Sequence, residues 1–101
     1  MKVIVVGAGE VGFHLAQRLS EENQDVVLVE SDPERCDFAA QHLDVLTVQG
    51  NGASISTLEK AGVKGARMLL AVTSRDEVNL IACLAAKAAL TASSALRKAA
   101  K

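Results

Sequence analysis

The chain has 101 residues, 50% of them apolar and 23% charged, with a formal net charge of −1. That composition supports one small domain with a buried core. It argues against a broad basic face for nucleic acid and, with aromatics at 2%, against a base-stacking platform. No apolar run approaches the roughly 20 residues of a bilayer span, and the opening stretch is too short to read as a secretory leader. Cys36 and Cys83 show no metal-ligand spacing and read as two reduced thiols.

Residues 3–6 are a continuous β-branched run ending at Gly7. Such runs suit strands covered on both faces, and therefore a parallel sheet. Residues 11–22 predict a helix with Val11, Leu15, Ala16 and Leu19 along one stripe, closed by Asn23 in a left-handed conformation. Residues 26–29 predict a second buried strand ending at Glu30. Asp32 then fits an N-cap and Pro33 the first position of a helix reaching about His42, with Phe38 as a core anchor.

A third strand is expected over 45–48, followed by a glycine-rich loop over 49–53 and a short helix capped by Ser54 that stops at Gly62. Residues 68–72 predict a fourth strand. The S-x-x-E spacing of Ser74 and Glu77 predicts a capping box and a helix starting near Arg75. In that helix Val78, Ile81, Ala82 and Ala85 make one apolar face, and Leu80, Leu84, Ala88 and Thr91 make another, which points to burial on more than one side or to dimerisation. The alternation predicts an α/β, Rossmann-like, doubly wound parallel sheet in the order 3-2-1-4 over residues 1–89. Residues 90–101, rich in Ala, Ser and Lys, offer no strand and read as a truncated or non-native tail, helical or disordered, or else as a natural helical end.

Gly7, Gly9 and Gly12 match G-x-G-x-x-G between a strand and a helix, the context that gives the pattern meaning. Gly7 permits the turn, Gly9 lets backbone approach a pyrophosphate, and Gly12 lets helix pack on strand; the helix N-terminus faces the anion. Glu10 is expected to turn to solvent or to its helix's own N–H groups, because a carboxylate pointing inward would repel a phosphate. His14 reads as a surface or partly buried helix residue. Glu30, 18 residues after Gly12, stands where an acid accepts the ribose hydroxyls and repels a 2′-phosphate, favouring NAD(H) or another adenosine nucleotide over NADP(H). Asp32 could hold the same ribose or cap its helix. Arg35 could stack on adenine, pair with a phosphate or stay solvated. Asn51 offers an amide to an adenine edge or serves as a left-handed turn residue. Thr73 and Ser74 can offer hydroxyls across the switch point, and capping alone also accounts for Ser74.

The segments V-V-G-A-G-E-V-G-F-H-L-A, E-S-D-P-E-R-C, V-Q-G-N-G-A-S, L-L-A-V-T and D-E-V-N-L-I-A-C together resemble the N-terminal RCK domain of TrkA-type potassium-uptake regulators over residues 1–88. The Q-G-N-G and A-V-T-x-x-D-E-x-N segments are the specific ones. The resemblance implies nucleotide contacts at Gly7, Gly9, Glu10, Val11, Glu30, Ser31, Arg35, Asn51, Gly52, Thr73 and Ser74, with Gly12 completing the loop. Asp76, Glu77 and Asn79 also match, and fall to capping and subunit contacts. The resemblance further implies a cytoplasmic homo-oligomer, dimer or ring, on the inner face of the membrane through a potassium transporter or channel subunit, whose potassium flux is gated by NAD(H), or alternatively ATP or ADP. Together with the composition and the lack of a placed catalytic acid or base, this reading expects no enzyme, no direct membrane insertion and no nucleic-acid partner. Members continue with further strands and often a second domain, which are not visible after residue 89. Two competing readings remain: a cofactor-binding fragment of an NAD-dependent oxidoreductase, which would need a general acid or base that neither His14 nor His42 is placed to supply, and an assembly subunit with a vestigial nucleotide site.

Overall fold

The two most apolar runs of the sequence become the two inner strands of one sheet. A computed structural model describes the backbone of residues 1–100 and the side chains of residues 1–89. Strands β1 (Lys2–Val6), β2 (Asp25–Glu30), β3 (Leu46–Gln49) and β4 (Met68–Ala71) pair in parallel in the order β3-β2-β1-β4. This is the Rossmann-like α/β sheet and strand order that the sequence predicts. Helices α1 (Glu10–Glu21), α2 (Pro33–His42), α3 (Ile55–Lys60) and α4 (Asp76–Ala100) connect and cover it, with a 3₁₀ turn at Val63–Gly65 that the sequence reading did not anticipate.

Strand alternation divides the core into two layers. Val3, Val5, Val26 and Leu28 face α1 and α2, where Ala16 and Ala39 close the packing. Ile4, Val6, Val27 and Val29 face the opposite side, against Leu58, Ala61, Val63, Ala86 and Ala89 of α3, the 3₁₀ turn and α4. Because both faces of β1 and β2 are covered, those strands are apolar without a break between their end residues, whereas each helix needs only a narrow stripe of mostly small residues to approach them closely.

Local signals in the sequence hold at several joints. Asp32 accepts a hydrogen bond from the Glu34 N–H at 3.0 Å, and Pro33 occupies the first turn of α2. Asn23 takes φ 63°, as expected of a helix-closing residue. Both cysteines are free, Cys36 buried and Cys83 exposed.

Other expectations fail. Phe38 is 52% exposed rather than a core anchor. The inner face of the short α2 is taken by Cys36 and Ala39, and Phe38 lies on its flank, 5.4 Å from the Phe13 ring and stacked on His42 at 4.0 Å. Val11 leaves the apolar stripe of α1, which is carried by Gly12 and Ala16, and is exposed at the start of that helix. In α4 the inner face is Ala82, Ala86 and Ala89, so Ile81, at 47% exposure, turns outward with Leu80 and Leu84. The capping box does not form: Glu77 pairs with Arg75, and the Ser54 hydroxyl likewise meets Ser56 rather than capping α3. The side chains of the 90–101 segment, and Lys101, lie outside the described residues.

Candidate nucleotide site

The loop after β1 turns at Gly7, whose φ of +110° lies in the left-handed region that favours glycine. A Cβ there would also press on the Thr73 backbone at 3.0–3.1 Å. Gly12, one turn into α1, sits so close to β1 that its Cβ would overlap the Gly7 carbonyl oxygen. A Cβ at Gly9 would meet only the Arg35 Nη1, at 4.0 Å, so nothing separates this stretch of backbone from the space above it. The first N–H groups of α1 have no partner within the helix, and they carry the positive end of its dipole.

Above this loop, at the carboxyl ends of the strands, lies a cleft of about 450 Å³. It is lined by Gly7, Gly9, Glu10 and Val11 from the first junction and by Glu30, Ser31 and Arg35 from the second. Asn51 and Gly52 come from the third, and Thr73 and Ser74 from the fourth. All the expected site residues therefore meet in one cleft except Gly12, which packs beneath it. Gly50, Arg75 and an apolar wall of Val6, Val29, Val72 and Val78 line the cleft as well, beyond the residues expected from the sequence. The wall was legible only as core, because an apolar residue at a strand end or on the first turn of a helix looks the same whether it faces the core or a cleft. A second cleft of about 530 Å³ opens at the opposite, amino ends of β1, β2 and β3, away from the glycine loop.

Glu30 is 7% exposed, and its partners account for that. Oε1 accepts the Ala8 N–H at 2.7 Å, and Oε2 accepts the Asp32 N–H at 2.9 Å, with the Ser31 hydroxyl at a long 3.4 Å. The carboxylate thus ties the glycine loop to the loop after β2. Oε1 keeps one acceptor position for a donor from the cleft, and Oε2 gains one if the long Ser31 hydrogen bond gives way. Asp32 is spent on its cap and on Arg35, whose Nε lies 3.8 Å from Oδ2, and it does not line the cleft.

Glu10 is exposed and reaches the cleft mouth. His14 lies outside the cleft as a surface residue, its Nδ1 donating to the Glu10 carbonyl at 2.7 Å. Asn51 holds the Ala53 N–H on its Oδ1 at 2.9 Å and does not adopt a left-handed conformation. On the fourth junction Asn79 does more than cap. Its Oδ1 accepts both the N–H (2.9 Å) and the hydroxyl (2.7 Å) of Thr73, and its Nδ2 donates to the Thr73 carbonyl at 3.1 Å. The first turn of α4 therefore sets the position of the Thr73 loop, which lies beside the Gly7 turn.

These features fit a nucleotide: a bare backbone cradle for phosphate, a buried acid with acceptor capacity for a ribose hydroxyl, and an apolar wall for a base. Among the described residues no cluster of three or more His, Cys, Asp or Glu could hold a metal ion.

Comparison with known proteins agrees with the architecture. The family model described as the TrkA-N domain matches residues 3–100. The chain is 48% identical over 83 residues to the Trk system potassium uptake protein TrkA of Azorhizobium caulinodans, covering 82% of this chain and 18% of that one. It is 47% identical over 87 residues to the Trk system potassium uptake protein trkA homolog 1 of Methanosarcina mazei, covering 86% and 21%. It thus spans about a fifth of the length of these curated relatives. Among solved structures, the Shewanella denitrificans Kef CTD in AMP-bound form superposes with a TM-score of 0.73 at 22% identity, over 86% of this chain and 52% of that one. That likeness is one of fold.

Proposed function

The chain belongs to the TrkA-N domain family, and from that premise we propose that it is a nucleotide-sensing regulatory domain of a potassium-uptake system. The ligand is an adenine nucleotide, NAD(H) in the first instance and ATP or ADP in the alternative. The observation that carries this is the convergence of the bare Gly7–Gly9 backbone, the buried Glu30 carboxylate and the Thr73 loop on one cleft.

The amides opening α1 take the phosphates, helped by the helix dipole. The free acceptor position on Glu30 Oε1 takes one ribose hydroxyl, the other displaces the long Ser31 hydrogen bond from Oε2, and the carboxylate charge disfavours a 2′-phosphate. Val6, Val29, Val72 and Val78 give the base an apolar bed. Binding and regulation, rather than turnover, are the role. A ligand shifts a transporter between two states only by binding them unequally. Here Thr73 lies beside the Gly7 turn, with no room for a Cβ between them, and is clamped to α4 by Asn79, so a phosphate held on that turn is coupled to the start of α4.

The partner is a membrane-embedded potassium transporter or channel subunit, which places the domain in the cytoplasm at the inner face of the membrane. The names of the relatives, which speak of potassium uptake, support this. No helix among the described residues is long and apolar enough to cross a membrane itself. The outward face of α4 supports a homo-oligomer, dimer or ring.

Titration calorimetry of the chain with NADH, NAD, ATP and ADP tests the reading. At least one should bind saturably with Kd on the order of 10 µM or tighter, about −7 kcal/mol. Absence of binding by all four overturns it, and steady turnover of NADH with simple carbonyl acceptors would replace it with the oxidoreductase reading.

A further inference from the structure

We propose that Arg75 reads the length of the nucleotide's phosphate chain, engaging the phosphoryl group beyond those held by the glycine loop. The inference rests on the nucleotide reading above and deepens it. Two arginines line the cleft, Arg35 from the second junction and Arg75 from the fourth. Arg35 stands over the glycine loop, within 4.0 Å of the place a Gly9 Cβ would occupy, and so belongs to the phosphates nearest the ribose. Arg75 comes from the junction after β4, across the switch point from that loop.

Its backbone is fixed while its head is loosely held. The Arg75 N–H donates to the Thr73 hydroxyl at 3.2 Å, and Thr73 is itself clamped by Asn79. The guanidinium rests on Glu77 Oε1 at 2.7 Å, in a pair whose side chains are 69% and 59% exposed. An exposed pair of this kind holds its members weakly. A phosphoryl oxygen offers the same guanidinium a stronger, bidentate partner. Glu77 is thus a resting place from which Arg75 can swing into the cleft.

The charges at the mouth require such a cation. Glu10 and Glu30 both line the cleft, so each phosphoryl group added to a ligand brings further negative charge beside two carboxylates. Arg35 is shared with Asp32. Arg75 is therefore the group that offsets the extra charge, and affinity should rise from AMP through ADP to ATP.

The test is calorimetric titration of wild-type chain, Arg75→Ala and Arg75→Lys with AMP, ADP and ATP at one ionic strength. Arg75→Ala should weaken ATP about tenfold and AMP less than about twofold, and Arg75→Lys should fall between. The difference should shrink at high salt, where exposed charges are screened. Equal losses for AMP and ATP, or no loss for ATP, overturn the assignment. Wild-type chain that binds NADH but none of the three overturns the Arg75 assignment alone, whereas wild-type chain that binds neither these nor NADH or NAD overturns the nucleotide reading itself, a separate result because it involves no variant. Far-ultraviolet circular dichroism checks that Arg75→Ala is folded; Arg75→Lys supplies the same comparison with the charge kept.

Discussion

Glu30 shows how one residue serves both the fold and the site. Its oxygens hold the Ala8 and Asp32 N–H groups of two different loops from a position 7% exposed. In Glu30→Gln the side-chain NH₂ must face one of those N–H donors, leaving a buried mismatch. Urea unfolding should show a loss of about 1–3 kcal/mol. Nucleotide affinity should fall with it, by about tenfold, because a ribose acceptor is lost. Gly12 is the plainer case: Gly12→Ala gains helix propensity yet drives a Cβ into the Gly7 carbonyl. The clash should win, with about 3 kcal/mol lost by the same measurement. Glu77 carries a pH signature. Its own backbone N–H and the Arg75 guanidinium hold its carboxyl below the ordinary value of 4.5. A depressed folded pKa contributes stability that is present above the unfolded value and is lost as pH falls through the folded one. The urea midpoints of Glu77→Gln and wild type should therefore differ slightly above the ordinary value and converge as pH falls through the lowered one.

The elements themselves were readable wherever the signal was local and strong. The β-branched runs, the Asp32–Pro33 start and the Asn23 stop are each decided within a few residues, and the structure places them as expected. The start of α4 was readable only as a start. S-x-x-E spacing suits a capping box, but Asn79 reaches back from the first turn to clamp Thr73, and Glu77 is drawn to Arg75 instead. A side-chain amide satisfying a backbone N–H, a backbone carbonyl and a hydroxyl of one residue outcompetes a single cap bond. Asn79→Ala should therefore cost about 1–2 kcal/mol in thermal or urea unfolding, and hydrogen exchange should speed up at the Thr73 amide. Phe38 and Ile81 misled for a related reason. Each is apolar on a helix, but a helix seen alone does not say which of its apolar sides meets the sheet.

At the scale of the whole molecule, α4 keeps its alanines for the sheet and turns Leu80, Ile81 and Leu84 outward, with Leu80 62% exposed. A helix that puts its larger apolar residues on the outside gains by covering them with another surface. The proposed homo-oligomer predicts that light scattering after size exclusion will report a mass above the monomer, and that Leu80→Ser with Leu84→Ser will lower it without lowering the melting temperature. A strict monomer at high concentration would count against that use of the face. What the sequence determined alone was the order of elements, the sheet class, the glycine loop and the acid that follows it, because each is written in residues that are close in the chain or constrained by backbone geometry. Tertiary structure alone decided that loops from four separate junctions share one cleft, that Glu30 spends its first acceptor positions on backbone, and that Arg75 belongs to the site. Those facts depend on where parallel strands end relative to one another, a register set by packing across the sheet and carried by no single segment.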